Sequence, residues 1–298
     1  MNGFLLINKP CGLSSSQVVQ KIKKIFKAKK IGHLGTLDPL ATGLLVLALN
    51  RATKFSNYFL ESDKHYDVEI ALGTSTDTDD SEGDVIFKSA LSPNEDEIMT
   101  SLLSFQGDSM QVPPFFSALK HKGIPLYKYA RRGEYIKKNP RKITIHKIDN
   151  VKITDMTCKF SISCSKGTYI RSIARDLGKK LNCGAHMTAL KRVQQHEFRL
   201  SQAKEIQDAT PKDLITIEKA FKSIDSIKIL LKGGYKPKST DYLLKGDSVI
   251  IKEGPLKGLS GEVTQLQDKN YFILRIDSIQ SSISVKIDKA FLKSDKAK

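Results

Sequence analysis

The run Gly32-His33-Leu34-Gly35-Thr36-Leu37-Asp38-Pro39-Leu40-Ala41-Thr42-Gly43-Leu44-Leu45 holds one carboxylate, Asp38, in an otherwise uncharged, glycine-punctuated stretch. Gly32, Gly35 and Gly43 permit tight backbone paths and close approach of a ligand, and Pro39 stiffens the chain after the acid. Leu44-Leu45-Val46-Leu47 reads as a buried strand. The sequence therefore sets an acid on the rim of a packed sheet, where it can serve as a nucleophile or stabilise charge on a bound group. An isolated Asp-Pro is more often a plain turn, so the case for Asp38 rests on the string around it.

The chemistry needs partners. Asp63 to Gly73 alternates polar and apolar as a half-buried strand does, with Tyr66 near its start. A single tyrosine in a strand is usually an interfacial core residue, yet an aromatic face can also stack on a flat ring of a ligand. Cys164-Ser165-Lys166-Gly167-Thr168-Tyr169-Ile170-Arg171-Ser172 follows the alternating Phe160-Ser161-Ile162-Ser163, and Ile173, Ala174, Leu177 and Leu181 continue as a helix. Arg171 at that helix start would ordinarily be a surface residue; a guanidinium can also hold a carboxylate bidentately and aim it. From Phe105 to Thr144 aromatics and cations interleave: Phe115, Phe116, Lys120, Tyr127, Arg131 and Arg132. That mixture fits an RNA loop, with cations on phosphates and rings on bases or sugars, and on pattern alone a helical hairpin with a basic outer face fits equally well.

Together these strings resemble the bacterial tRNA pseudouridine-55 synthases, the TruB family, whose signature runs G-H-x-G-T-L-D-P-x-A-x-G-x-L. The opening G-x-L-x-x-x-K-P-x-G-x-S-S, the K-x-Y at Lys64 to Tyr66, the turn G-x-x-T-D-T-x-D-x-x-G, the Q-x-P-P-x-x-S-A-x-K segment and C-S-K-G-T-Y-I-R-S agree as well, over roughly residues 3 to 230. The resemblance implies that Asp38 is the nucleophile, that Arg171 pairs with it and that Tyr66 stacks on the target base. It also implies substrate-binding roles for His33, Tyr169, Leu190 and Lys9, and for Lys120, Arg131 and Arg132 in an insertion that clamps the tRNA arm. Asn50 in place of a usual glycine, Lys191 in place of an arginine and the missing glycine before Phe198 depart from the pattern; Lys191 keeps the charge but not the bidentate geometry.

The implied fold is α+β: a pseudouridine synthase fold with a mixed, largely antiparallel central sheet flanked by helices. The catalytic domain is expected over residues 1–231, with the RNA-clamping insertion at about 105–144, a linker at 232–240 and a small C-terminal β-barrel at 241–298. Gly246 to Val263 looks KOW-like, where family members usually carry a PUA-type domain; short strands at Ile273–Ile276 and Ile283–Ile287 suit a barrel of either kind.

Composition agrees with an RNA partner. With 49 Lys and Arg against 32 Asp and Glu, the chain carries +17, which favours a polyanion through counterion release. Ser14-Ser15-Ser16-Gln17 opens a helix whose apolar face takes Val18, Ile22, Ile25 and Phe26. Its other face carries Lys21, Lys23, Lys24 and Lys27, followed by Lys29 and Lys30. Such a face is usually only solvated, but this one leads into the Asp38 loop. Cys11, Cys158, Cys164 and Cys183 form no C-x-x-C pair and no zinc set. The acidic run from Asp77 is no calcium loop, because its sixth position is Glu82 and its twelfth Lys88. The N-terminal apolar run reads as a strand and not a signal peptide, and no stretch approaches a membrane span, so a cytoplasmic protein is expected; nothing in the motifs demands more than a monomer.

The expected reaction converts uridine 55 in the T arm of tRNA to pseudouridine without cofactor or metal, since the bond broken and the bond made join the same two fragments. Attack on the sugar, attack on the base, or action with a base at the 2′ position all fit. Two rivals share features: a guide-RNA-dependent pseudouridine synthase, and a non-catalytic RNA-binding or tRNA-folding protein. An acid placed in a nucleic-acid groove, where its charge opposes phosphate, argues against the second.

Overall fold

The computed structural model describes residues 1–220 and, beyond them, the backbone of five strands lying between Ser248 and Ser294. The chain divides into two compact units, Leu5–Asn50 with Ser56–Asp213, and Met1–Phe4 with Arg51–Phe55 and Leu214–Lys298.

Strand β1 (Gly3–Lys9) precedes helix α1 (Ser15–Ile25). Ser14 accepts the Gln17 N–H and the Gln17 side chain returns to the Ser14 N–H, the capping box that the spacing predicts. Val18, Val19, Ile22 and Phe26 are buried, but Ile25 is 49% exposed. At about 100° per residue Ile25 falls just beyond the edge of the buried stripe, on the last turn. Strand β2 (Ile31–His33) pairs antiparallel with β3 (Thr42–Leu49), His33 opposite Leu47, so the Asp38 loop joins two paired strands. Seven of the eight β3 residues are buried, as the continuous apolar run of a strand covered on both faces requires.

Helix α2 (Ser56–Leu60) leads to β4 (Lys64–Leu72), whose alternation turns Lys64, Tyr66, Val68, Ile70 and Leu72 inward. The acidic run closes a hairpin of β5 (Thr74–Thr76) and β6 (Val85–Lys88), and α3 (Glu95–Leu103) follows with Asn94 as its cap. The 105–144 segment is neither a helical hairpin nor a plain loop. It contains β7 (Gly107–Gln111), a small hairpin of β8 (Lys120–His121) and β9 (Ile124–Pro125), and helix α4 (Leu126–Ala130). It returns in β10 (Arg141–Thr154), with Arg141 opposite Gln111, so both ends of the insertion meet on one sheet edge. Then come β11 (Thr157–Cys164), α5 (Ile170–Lys180), β12 (Ala185–Gln195) and β13 (Phe198–Arg199).

The central sheet runs β1-β3-β12-β4-β11-β10-β7, with β2 on β3 and β13 on β12. The β3–β12 pair is parallel, and β12–β4, β4–β11, β11–β10 and β10–β7 are antiparallel. This is the expected mixed, largely antiparallel sheet with helices packed on it. In the other unit β14 (Ser248–Ile251), β15 (Ser260–Asp268), β16 (Tyr271–Ile276), β17 (Ile283–Asp288) and β18 (Leu292–Ser294) form an antiparallel sheet ordered β17-β16-β15-β14-β18, where the sequence predicts a small barrel. The expected strands at 273–276 and 283–287 fall within β16 and β17, and the expected linker at 232–240 lies outside the described residues. Among the described residues no helix is long and apolar enough to cross a membrane.

Candidate active site

Register across three strands builds the floor of the site. Gly43 on β3 pairs with Arg192 on β12, and Arg192 pairs with Tyr66 on β4, so the three stand in one transverse row. Gly43 has φ +93° and a Cβ there would lie 2.4 Å from the Arg192 carbonyl oxygen, so only glycine permits this contact. Arg192 is 1% exposed; its Nε donates to the Leu44 carbonyl at 2.7 Å and its Nη2 to the Gly35 carbonyl at 3.1 Å. Those carbonyls flank the Asp38 loop, which the guanidinium ties down from below. Burial holds Arg192 below its ordinary pKa and pushes the Tyr66 phenol up to about 12, against the pull of Arg192.

The Asp38 loop is fastened from above as well. Ser15, at the head of α1, accepts the Leu37 N–H at 2.8 Å and donates to the Leu37 carbonyl at 2.9 Å. The Gly12 N–H reaches the Pro39 carbonyl at 2.9 Å, and Gln195 Nε2 donates to the Leu34 carbonyl at 2.5 Å and the Phe59 carbonyl at 2.9 Å. A carboxylate on so constrained a backbone is aimed before any ligand arrives.

Arg171 reaches Asp38 from α5. Its Nε lies 3.0 Å from Asp38 Oδ2, its Nη1 3.4 Å from Asp80 Oδ2, and it donates to the Thr78 carbonyl at 3.0 Å and the Phe116 carbonyl at 2.8 Å. Asp80 in turn accepts the Thr78 hydroxyl at 2.6 Å and the Glu82 N–H at 3.0 Å through Oδ1. The acidic turn thus satisfies Asp80 Oδ1 internally while presenting Asp80 Oδ2 and the Thr78 carbonyl to Arg171. One turn further along α5, Arg175 pairs with Asp79 at 3.1 Å and bonds the Val112 carbonyl, and burial lifts Asp79 to about 6 despite that cation. Asp38 Oδ1 has no partner among the described residues. The arrangement offers one half-exposed carboxylate, held through one oxygen and open at the other.

Residues 23–170 match the family described as TruB family pseudouridylate synthase (N terminal domain), and residues 171–223 match the tRNA pseudouridylate synthase B C-terminal domain. The chain is 46% identical over 230 residues to the tRNA pseudouridine synthase B of Francisella philomiragia subsp. philomiragia, covering 76% of this chain and 75% of that relative. It is 41% identical over 273 residues to that of Psychromonas ingrahamii, covering 86% of each. The chain belongs to the TruB family. It is therefore an isomerase, a pseudouridine synthase. A solved Cbf5-Nop10-Gar1 complex shares the fold, with a TM-score of 0.60 at 24% identity over 93% of this chain and 84% of the other.

In this TruB chain the structure brings Asp38, Arg171 and Tyr66 together, and Leu190, 8% exposed, lies two pairs further along β12, opposite Val68. Tyr169 is half-buried; Gln111 accepts its N–H at 2.8 Å and donates to its carbonyl at 3.1 Å, while the Arg141 guanidinium lies 4.5 Å from its ring centre. Gln111 thereby supplies the start of α5 with a cap that lies 58 residues away in sequence. His33 is half-buried with Nδ1 lacking a hydrogen bond, and burial, then Arg192, hold its imidazole below its ordinary pKa. Lys120, Arg131 and Arg132 are exposed on the insertion, with Arg131 5.6 Å from the Tyr127 ring centre.

Lys9 requires a correction. It is fully buried, and its Nζ donates to the carbonyls of Pro10 at 3.0 Å, Leu13 at 2.6 Å and Pro39 at 3.2 Å. All three ammonium protons are committed, so Lys9 braces the turn beneath Pro39 and does not face a substrate. Asp80, Arg192, Gln195, Ser15 and Gln111 escaped the sequence reading. Strand β12 buries Ala185, Met187, Leu190, Arg192 and Gln195, but its alternation changes phase at two bulges, so plain parity does not mark Arg192 from the sequence.

Proposed function

We propose that this pseudouridine synthase isomerises uridine 55 in the T arm of tRNA, with Asp38 as the nucleophile. The observation that carries the reading is the Asp38–Arg171 pair, with Oδ2 engaged by a buried guanidinium and Oδ1 open, beside the strand row in which Tyr66 pairs with the Arg192 that ties down the Asp38 loop. The names of the relatives, tRNA pseudouridine synthase B, support tRNA as the substrate.

The target uridine is turned out of its stack and lies against Tyr66 and Leu190. The bond from the sugar carbon C1′ to N1 breaks, the base rotates, and C1′ bonds to C5. N1 gains a proton and C5 loses one, so product and substrate are isomers and no oxidant, reductant or group donor is consumed. The unpartnered Asp38 oxygen bonds to C1′ as N1 departs, or to the uracil ring before it departs, and that bond breaks again as C1′ joins C5, so the aspartate leaves as the free carboxylate. Arg171 fixes the direction of that oxygen. Residues 105–144 would grip the arm, with Lys120, Arg131 and Arg132 on phosphates and Tyr169 beside the target. The C-terminal unit would act as a small RNA-binding barrel. Every group in the site comes from one chain, so a monomer suffices.

The test compares wild type with Asp38→Asn on an unmodified tRNA transcript, following pseudouridine at the T-arm uridine and binding in parallel. Modification by wild type, with a variant that binds and does not react, is the expected result. If wild type binds with a steep salt dependence and modifies no uridine, the chain is an RNA-binding protein with a disused site.

A further inference from the structure

The acids and bases of this chain are segregated. No aspartate or glutamate precedes Asp38, whereas seven lysines do, and 13 of the 32 acids lie between residues 61 and 108. Of those lysines Lys9 is buried, while Lys21, Lys23, Lys24, Lys27, Lys29 and Lys30 are all exposed, on α1 and the turn that follows it. None of the six joins an ion pair among the described residues. Lys142, Lys147 and Lys159 on β10 and β11, by contrast, each hold an acid at 2.7, 2.6 and 2.9 Å.

A face kept only for solubility interleaves signs at i and i+4, because like charges on adjacent turns weaken a helix. Here Lys21 and Lys24 repel on adjacent turns of α1, and Lys27, in the left-handed turn just past the helix, adds another cation with no acid among them. The face is also tied to the chemistry at both ends. Ser15 at its head holds Leu37 through two hydrogen bonds, and its tail runs through Lys29 and Lys30 into β2, which ends at His33. A helix of this length spans about 16 Å, which keeps every lysine within roughly 20 Å of the catalytic loop. One strand of RNA crossing that distance presents several phosphates.

We infer that the lysine face of α1 is a track for the phosphodiester backbone of the substrate RNA flanking the target uridine, a contact surface separate from the 105–144 insertion. The inference rests on the reading of a structured RNA as substrate. Its ligand is polyanionic backbone, so it contributes affinity and salt dependence and not choice of base.

The experiment uses the full chain and an unmodified tRNA transcript. One variant carries Lys21→Gln, Lys23→Gln, Lys24→Gln and Lys27→Gln; a control carries Lys88→Gln, Lys147→Gln, Lys152→Gln and Lys159→Gln and loses the same charge elsewhere. For the α1 variant, the slope of log affinity against log salt is expected to fall by about two to three, with affinity down on the order of tenfold to a hundredfold. The control should lose less than about one unit of slope, and the turnover of the α1 variant at saturating RNA should match wild type. An α1 variant indistinguishable from wild type or from the control overturns the track. If the fourfold variant does not fold, a Lys21→Gln, Lys24→Gln pair, which relieves one repulsion, must show about half the slope change. A wild type that shows the α1-dependent slope yet modifies no uridine would sink the proposed function and leave the track standing.

Discussion

Arg171 and Asp38 meet at 3.0 Å with unequal exposure, the guanidinium side chain 6% exposed and the carboxylate 34%. The cation is thus withdrawn from any phosphate while the anion faces the ligand. A buried guanidinium is costly unless its donors are matched, and Asp80, the Thr78 carbonyl and the Phe116 carbonyl match what Asp38 leaves. Arg171 is in effect a rigid part, and Asp38 inherits its rigidity.

Arg171→Lys keeps the charge and loses the fork. An ammonium on that stem cannot span Asp38, Asp80 and two carbonyls together, so Asp38 swings and buried acceptors lose their donors. Turnover should drop on the order of a hundredfold, and unfolding free energy by about 1–3 kcal/mol. Single-turnover kinetics and denaturant melts read both; a variant with wild-type turnover would show that Arg171 does not aim the acid.

Asp80→Asn probes the far side of the same guanidinium. The amide oxygen can still accept from Thr78 and Glu82, but its NH2 group then faces Arg171 Nη1, donor against donor. Turnover should fall by about tenfold or more while KM stays within about twofold, because the loss acts on the aim of Asp38 and not on RNA contact. An equal rise in KM would instead place Asp80 in substrate binding.

How much of this was legible in the sequence follows from what each residue depends on. Asp38, Tyr66 and Arg171 sit in contiguous motifs whose local backbone supplies their setting, and the structure brings the three together. Arg192 and Gln195 take their meaning from register, since Arg192 matters because β12 puts it between Gly43 and Tyr66. Lys9 was misread because lysine is so rarely buried, and nothing local shows that three carbonyls converge on it. Ile25 was misplaced by a helix stripe narrower at its last turn than the periodicity suggested. In the 105–144 segment, the pairing of β7 with β10 depends on strands about 30 residues apart, which short-range pattern does not reveal.

Gly43→Ala tests that register directly. The new Cβ would meet the Arg192 carbonyl oxygen at 2.4 Å in a backbone with φ +93°, so relief requires strands to part. A loss of more than about 3 kcal/mol is expected. Gly12→Ala is the matched control: φ is +84° but no atom lies within 4 Å of the added Cβ, so it should cost only about 1 kcal/mol. Equal losses from urea melts of the two would remove steric contact with Arg192 as the reason for Gly43.

Lys64 makes the pH dependence of stability measurable. It is 7% exposed, its Nζ donates to the carbonyls of Leu60 at 2.8 Å and Ser62, and burial, aided by the Arg192 charge, lowers it to about 8. Its unfolded value is near 10.4. Between about 8 and 10.4 the unfolded chain therefore binds a proton that the native chain has released, so stability rises with pH across that window; below about 8 the full cost, on the order of 3 kcal/mol, is present. Lys64→Met removes the titration, along with the two carbonyl contacts. Relative to wild type the variant should lose about 3 kcal/mol of standing between pH 7.5 and pH 10.5, whatever the offset at neutral pH. Denaturant melts of both proteins at the two pH values read it, and a difference that stays constant across the window would mean that the Lys64 ammonium is as well solvated by those carbonyls as by water.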